Sequence, residues 1–246
     1  MVARSSGISG GWKWRAMVAM GAIATTLLLA GAAPALALSY SAKPISATVI
    51  DADTKQPFSG VNVLIEWTLQ NSNASSESFW VVDEAVTDAQ GRFTLSGWGP
   101  QLVPQRLTEL PRRLGPEQPT IYVFKSGYEF ESASNPWESW MIGNRQWTGD
   151  LVRSSYWDSK SIKLKKFVGS TKQYLDGLSP MADRLPLHGC RWAKVPRFTA
   201  ALVMERGERI NPPATSGLPT MKELESDAKK EPGCPAPAQV LAPYLK

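Results

Sequence analysis

Histidine is almost absent from this chain of 246 residues, which contains only His188. Hydrolases with a catalytic triad need a histidine beside the nucleophile, and most metal sites draw on several His or Cys ligands. The nucleophile pattern G-x-S-x-G and a glycine-rich phosphate-binding loop are also missing. We therefore predict that the protein is not an enzyme and uses no metal or cofactor, and we interpret His188 as a loop or interface residue.

Outside the first 37 residues, the sequence has no apolar run long enough to cross a bilayer. Within them, Arg4, Lys13 and Arg15 precede an apolar stretch over 16–33, and a small-residue cleavage pattern ends at Ala37. This order is typical of a secretory signal peptide, so we predict cleavage after Ala37 and a periplasmic or secreted protein. The alternative is a retained membrane anchor, because about 18 apolar residues are near the lower limit for a span.

A strong net charge is also lacking once the leader is removed. The whole chain is formally +5, but residues 1–37 hold three basic residues and no acidic ones, which leaves 24 Lys and Arg against 22 Asp and Glu. This balance gives no reason to predict nucleic-acid binding.

One basic cluster remains in the mature chain, formed by Lys160, Lys163, Lys165 and Lys166. Apolar Ile162 and Leu164 alternate with these lysines, which indicates a strand with one solvated, charged face. Lysine on such a strand also discourages association between sheet edges. The alternative is a binding site for a polyanion.

Cysteine is nearly as rare as histidine, with only Cys190 and Cys234 in the chain. An isolated pair in an exported protein most often forms a disulfide, which we predict here. The bond would close a loop of about 44 residues and add a few kcal/mol by restricting the unfolded chain. The alternative, a metal site, has only His188 nearby as a further ligand.

What the sequence does contain is a series of short runs in which apolar and polar residues alternate. Such runs cover 45–50 and 61–67, and a β-branched and aromatic run covers 79–87. Asp88 and Gly91 then supply a tight reversal, since Asp bonds to the turn backbone and Gly accepts positive φ. The pattern predicts a mainly β fold, a sandwich of about seven strands.

The turn residues of these runs form a series with definite spacing. Three groups belong to it: Asp51, Thr54, Pro57 and Gly60; then Thr87, Asp88, Gly91 and Phe93; then Lys125, Gly127 and Tyr128. In type and order they resemble the carboxypeptidase regulatory-like domain, a transthyretin-type β-sandwich. The resemblance covers about 43–168, and 98–118 departs from it as a long Pro-rich insertion.

This resemblance implies a scaffold without an active site, because the matching residues are turn formers or core. Metallocarboxypeptidases need an H-x-x-E motif and a distant histidine, related hydrolases of urate breakdown need several histidines, and intradiol dioxygenases bind iron with two His and two Tyr. A single histidine fits none of them. The neighbouring carboxylates Asp83 and Glu84 point to opposite faces of a strand, so they cannot act together on one substrate.

Beyond position 169 the pattern changes to short helices. Phe198 and Leu202 recur at helical spacing, Gly207 is predicted to end that helix, and Thr220 with Glu223 makes a capping box for another. We predict that this part packs on the sandwich, and the alternative is a separate small domain. The predicted organisation is a signal peptide over 1–37, the β-sandwich over 38–168, and a helical extension with the disulfide over 169–246.

Tryptophan is the residue type best placed to recognise a ligand. Eight of the ten lie beyond the leader, and four fall within a short polar segment without strand or helix periodicity: Trp137, Trp140, Trp147 and Trp157. Flat rings beside polar side chains suit sugars, whose C–H faces stack on aromatic rings. The alternative is that these rings cover the sandwich edge or contact the helices.

Two classes of function remain open. We predict an exported, non-catalytic module that binds carbohydrate or protein, with partners in the cell envelope. The alternative is a hydrolase whose carboxylates lie on loops. Aromatic rings on one open surface would favour binding, and a cleft with two close carboxylates of raised pKa would favour catalysis.

Overall fold

Two β layers and one layer of helices make up the part of the chain that the structure describes. The structure is a computed structural model, and it describes residues 38–71, 77–104, 111–115, 117–136, 150–182, 184–185, 187, 189–209 and 217–245. Eleven strands lie within these residues: β1 (Ser39–Ala42), β2 (Ile45–Asp51), β3 (Asn62–Asn71), β4 (Glu77–Val86), β5 (Arg92–Leu95), β6 (Trp98–Leu102), β7 (Arg112–Leu114), β8 (Thr120–Phe124), β9 (Glu131–Ser134), β10 (Asp150–Arg153) and β11 (Ser161–Leu164).

The helices within the described residues follow the last strand. They are α1 (Thr171–Ala182), α2 (Pro196–Arg209), α3 (Met221–Lys230) and α4 (Pro237–Leu241), and a turn of 3-10 helix covers Arg191–Lys194. The mainly β fold with a small helical extension is as predicted. No helix in the described residues is long and apolar enough to span a membrane.

The first β layer is interrupted in the middle. Strands β1 and β2 follow each other with only Lys43 and Pro44 between them, and each is the central strand of a three-stranded sheet. The strand orders are β10-β1-β6 and β11-β2-β5, with β10 and β11 parallel to their partners. Because their central strands follow each other directly along the chain, the two sheets form one layer in two parts.

The second β layer has the order β4-β3-β8-β9, and β7 also pairs with β3. Its inward side chains, among them Ile65, Trp67 and Ile121, pack against Ile45 and Phe93 of the first layer. These residues alternate along their strands, as the period of an extended chain requires. Their burial between the two layers forms the sandwich core.

The other face of the second layer is covered by the helices. Leu64 and Phe124 point away from the sandwich core and pack with Tyr174 of α1 and Phe198 of α2. Strand β3 is therefore buried on both faces, which explains why its middle shows an almost continuous apolar run. The disulfide between Cys190 and Cys234 is present, as predicted, and joins the segment before α2 to the segment before α4.

The structure has more strands than predicted, because some strands pair through their backbones without the alternation of apolar and polar residues that predicts a strand. Part of the predicted insertion, Trp98–Leu102, is strand β6, and it pairs with β1, which begins two residues after the predicted cleavage site. Pairing needs a close approach: a Cβ on Gly99 would lie 2.6 Å from the carbonyl oxygen of Tyr40. The backbone of Gly99 has φ +97°, which favours glycine.

The helices also differ in detail from the predictions. Helix α3 begins with the predicted capping box, in which Thr220 and Glu223 bond reciprocally to backbone N–H groups. Helix α2 continues past Gly207 to Arg209, so the predicted end at Gly207 is wrong. One glycine inside a helix costs only about 1 kcal/mol, which neighbouring packing outweighs. Helix α1 was not predicted.

Candidate functional site

The first group of motif residues builds a turn and holds no open site. The Asp51 carboxylate accepts the N–H of Asp53 at 2.9 Å and the N–H of Thr54 at 2.8 Å. These donors, above all the Thr54 N–H, lower the pKa of Asp51. The chain then returns to the sheet, and Pro57 pairs with Ile50 in an isolated bridge. Asp51 is therefore a structural carboxylate.

The second group forms the hairpin between β4 and β5. Thr87 accepts the N–H of Val61 at 2.9 Å and donates its hydroxyl to the Phe58 carbonyl at 2.6 Å, so it joins two turns. Gly91 has φ +70°, and a Cβ there would lie 2.5 Å from the carbonyl oxygen of Val49. The hairpin residues therefore stabilise the turn by contacts with the backbone.

The third group meets the first two at the same end of the sandwich. The Lys125 ammonium donates to the Gly60 carbonyl at 2.9 Å, and the Tyr128 ring meets the Phe58 ring edge to face at 4.6 Å between centroids. We call residues 51–60, 87–91 and 125–128 the turn end. Four polar side chains of its motif residues bond to the backbone, namely those of Asp51, Thr87, Asp88 and Lys125. This agrees with a scaffold role for the motif.

Asp83 and Glu84 lie on opposite faces of β4, as predicted. Asp83 accepts the N–H of Ser96 at 2.9 Å and so joins β4 to the turn between β5 and β6. Glu84 faces the helices and accepts the N–H groups of Arg197 at 3.0 Å and Phe198 at 2.9 Å, which lie in the first turn of α2. Burial raises the pKa of Glu84, although both N–H donors act in the opposite direction. The two carboxylates are separate structural anchors.

A small cavity of about 310 Å³ opens between α2 and α3. Its charged residues are already engaged, since Arg206 binds Glu223 at 3.0 Å and Lys230 binds Asp227 at 3.0 Å. These pairs leave the cavity without a converging set of free polar groups. Among the described residues, no group of three or more His, Cys, Asp or Glu side chains is arranged to hold a metal ion.

The lysine cluster has the predicted form. Strand β11 lies at an edge of its sheet, and its residues alternate so that Ile162 and Leu164 are buried while Ser161 and Lys163 are exposed. Lys165 pairs with Glu129 at 2.9 Å across the seam to the second layer. The cluster therefore serves as a charged, solvated sheet edge.

Three of the four tryptophans predicted to bind a ligand, Trp137, Trp140 and Trp147, lie outside the described residues, as does His188. The fourth, Trp157, packs on the sandwich core, and its indole N–H donates to the Ser134 carbonyl at 2.9 Å. In Trp157 the polar atom of the ring is thus engaged with the backbone.

A second aromatic group, which the sequence reasoning missed, lies in the half of the sandwich away from the turn end. It consists of Tyr40, Trp67, Trp80 and Trp98, and we call these four residues the aromatic cluster. Edge-to-face contacts connect it, with 6.1 Å between the ring centroids of Tyr40 and Trp80, 5.1 Å between Trp80 and Trp98, and 5.3 Å between Trp98 and Trp67. Tyr40 and Trp67 are core, whereas Trp80 and Trp98 are only half-buried.

Arg153 lies against this cluster. Its guanidinium carbon is 5.2 Å from the centroid of the Tyr40 ring, and one of its terminal N–H groups donates to the Leu114 carbonyl at 3.2 Å. The side chain therefore crosses from the first β layer to the second. Half-buried indoles beside a cation form a surface that can stack on a ligand and also bond to it. This is the candidate functional site.

Packing of the two β layers brings these residues together, since each ring contact joins β1 or β6 of the first layer to β3 or β4 of the second. Trp80 on β4 and Trp98 on β6 stand 18 positions apart, and Tyr40 and Arg153 come from still more distant strands. The available signal was the residue type, since Trp67, Trp80 and Trp98 lie in or beside predicted strands. Spacing along the chain carried no indication that the rings meet.

Comparison with known proteins supports no assignment to a family. No protein-family model matches the sequence, and no curated protein matches it significantly. Similar solved structures include a 3-chlorocatechol 1,2-dioxygenase from Rhodococcus opacus, at 14% identity over 53% of this chain and 61% of that chain with a TM-score of 0.27. Another is the shaft pilin of Lactobacillus rhamnosus GG, at 12% identity over 54% of this chain and 47% of that chain with a TM-score of 0.25.

A third similar structure is the dioxygenase domain of a dioxygenase carbohydrate-binding protein fusion from Streptomyces sp. SirexAA-E. Here the identity is 17% over 56% of this chain and 84% of that chain, with a TM-score of 0.27. The chain spans 61% and 47% of the first two structures named. At these TM-scores none of the likenesses carries an argument about function, and the resemblance to the carboxypeptidase regulatory-like domain stays a prediction.

Proposed function

We propose that this chain is an exported, non-catalytic β-sandwich module that binds carbohydrate in the cell envelope through its aromatic cluster. The observation that carries the proposal is the half-buried pair of Trp80 and Trp98, in contact with each other at 5.1 Å and next to the Tyr40–Arg153 pair. Sugar C–H faces stack on such rings, and sugar hydroxyls bond to neighbouring polar groups.

Export has two independent supports. The first 37 residues follow the order of a secretory signal peptide. The disulfide between Cys190 and Cys234 belongs to an oxidising compartment, because cytosolic thiols are kept reduced. Both features fit a periplasmic or secreted protein.

The non-catalytic role is supported by three carboxylates that accept hydrogen bonds from the backbone. Asp51 and Asp83 accept backbone N–H groups of turns, and Glu84 accepts those of helix α2. A general acid or nucleophile needs a carboxylate that faces a substrate. Carboxylates held by the backbone in this way supply structure.

The test is binding of the mature chain, from Leu38 onward, to a glycan array that includes cell-wall polymers. Trp80→Ala should lower the affinity for any retained glycan by about two- to tenfold, because one ring contact contributes about 0.5–1.5 kcal/mol and 1.4 kcal/mol is tenfold. Val168→Ala is the control, since Val168 is an exposed apolar side chain outside both the cluster and the segment over 137–157. Melting temperatures measured alongside separate lost binding from lost folding.

Unchanged binding by a folded Trp80→Ala variant would contradict the proposal. If Trp140→Ala abolishes binding while Trp80→Ala does not, the Trp-rich segment over 137–157 is the binding element instead. Release of reducing sugar ends from an array ligand would support the alternative, a hydrolase with carboxylates on loops.

A further inference from the structure

Two hydrogen-bond donors, one in the aromatic cluster and one beside it, have no acceptor among the described residues. The indole Nε1 of Trp98 and the Nε of Arg153 are both buried from solvent, and neither bonds to any atom among the residues that the structure describes. A buried donor without an acceptor costs about 1–3 kcal/mol. Native structures hold few such groups, and each calls for an explanation, such as a bound molecule.

Arg153 also carries a charge without an ion-pair partner among the described residues. Within the described residues its guanidinium forms no ion pair, and its contacts are the Leu114 carbonyl and the face of the Tyr40 ring. Other cations of the fold are paired, for example Arg206 with Glu223. A partly buried cation is unfavourable until an anion or several acceptors approach it.

The strand register places both donors around one position. Ala42 of β1 pairs with Arg153 of β10 on one side and with Trp98 of β6 on the other. Adjacent strands are about 4.8 Å apart, so the two backbones are separated by about 10 Å. A single sugar ring with a substituent spans such a distance. A series of contacts through the rings of Tyr40 and Trp80 connects the two side chains.

We propose that the aromatic cluster takes a carboxylate-bearing saccharide, with the carboxylate on Arg153 and a ring or hydroxyl oxygen on the Trp98 N–H. The inference rests on the proposed function and names its ligand class. Arginine presents its N–H groups in a planar fork that matches a carboxylate, and such charge-assisted bonds are about twice as strong as neutral ones.

The experiment measures the affinity of the mature chain for two probes by calorimetry. One probe is trigalacturonate, in which every ring carries a carboxylate, and the other is the neutral galactotriose of the same linkage. We expect trigalacturonate to bind at least about tenfold more tightly. Its affinity should also fall as salt is raised, whereas that of the neutral probe should not.

Three variants assign the roles. Arg153→Met should remove the preference for the acidic probe, a loss of about tenfold, and leave the neutral probe unaffected. Trp98→Phe keeps a ring and deletes the N–H, and it should weaken both probes about threefold or more. Arg92→Met is the matched control, because Arg92 is exposed and pairs with Asp88 in the turn end. Melting temperatures verify folding. If Arg153→Met does not fold, Arg153→Lys takes its place, because it keeps the charge but loses the planar fork and should reduce the preference for the acidic probe.

The outcomes separate the two proposals. Equal affinity for both probes, or an acidic preference that survives Arg153→Met, overturns the inference and leaves carbohydrate binding in place. Binding of neither probe nor any array glycan overturns both. Equal retention of an acidic peptide such as Asp-Asp-Asp shows that the cluster recognises carboxylates on protein, and that result also overturns a saccharide site.

Discussion

Two carboxylates in this fold make the same kind of hydrogen bonds and respond to them in opposite ways. Asp88 in the turn end accepts the N–H groups of Gln90 at 2.9 Å and Arg92 at 2.8 Å. Glu84 on β4 accepts those of Arg197 at 3.0 Å and Phe198 at 2.9 Å. The pKa of Asp88 is lowered, chiefly by the Arg92 N–H, whereas the pKa of Glu84 is raised by burial.

The two carboxylates differ in how far along the chain their hydrogen-bond donors lie. Asp88 bonds to residues within four positions and stays exposed, so the donors outweigh the desolvation of its charge. Glu84 bonds to residues more than 110 positions away, and the helix that it caps also removes it from water. A carboxylate in a local turn is therefore stabilised in its ionised form. A carboxylate that connects two layers gains hydrogen bonds but loses hydration, which disfavours its ionised form.

The largest effect is expected from Gly91→Ala, which breaks the turn held by Asp88. The new Cβ would lie 2.5 Å from the Val49 carbonyl oxygen at a φ of +70°. We expect the free energy of unfolding to fall by about 3 kcal/mol, measured by denaturant titration. Gly177→Ala in α1 is the control, since an added Cβ there meets no atom within 4 Å among the described residues, apart from the adjacent backbone of its own helix. It should stabilise by about 0.5–1 kcal/mol, and similar losses at both sites would refute the geometric argument.

Glu84→Ala should have the next effect, because it leaves two N–H groups in the first turn of α2 without an acceptor. We expect a loss of about 2 kcal/mol, or a fall in melting temperature of about 4–8 °C. Glu84→Gln should lose less, since the amide oxygen still accepts one bond. An unchanged melting temperature for Glu84→Ala would show that α2 does not depend on this cap.

The pH dependence of the Glu84→Gln variant sharpens the comparison. Because the folded pKa of Glu84 lies above its ordinary value of 4.5, the folded state binds the proton more tightly than the unfolded state. The stability of the wild type relative to Glu84→Gln should therefore fall as pH rises from 4.5 through the raised pKa. A difference that grows in the same interval would mean that the cap outweighs burial.

Asp88→Asn should show the smallest effect and the opposite slope. The folded pKa of Asp88 lies below its ordinary value of 3.8, so the ionised group favours the folded state above that pH. The advantage of the wild type over Asp88→Asn should be lost as pH falls below 3.8 through the folded pKa. Chemical denaturation at a series of pH values measures it, and parallel curves for the two proteins would contradict the expectation.

The predictions that succeeded concern residues whose partners are close in sequence. The capping box of Thr220 and Glu223, the turn at Gly91 and the exposed lysine edge of β11 follow from local periodicity and turn chemistry. The disulfide of Cys190 and Cys234 was also predictable, because the chain offers a single pairing.

The predictions that failed or were never made concern pairing between distant segments. Strands β1 and β6 are held by backbone bonds, which almost any side chains permit, so their residues carry little alternation. Helix α1 contains Gly177 and Pro180, both of which disfavour a helix, and its place depends on Tyr174 packing against the second layer. Tryptophan density along the chain indicates a binding surface over 137–157, and it gives no sign of rings that meet only when the two β layers pack.

What the sequence by itself determined is the class of the protein: alternating apolar residues that must bury one face, turn residues that suit only tight reversals, and a pair of cysteines with one possible bond. What only the tertiary structure decided is which face of the second layer the helices cover and which rings meet Arg153. The physical reason is that turn and strand preferences act over a few residues, whereas burial and strand register are properties of surfaces that exist only after distant segments have packed.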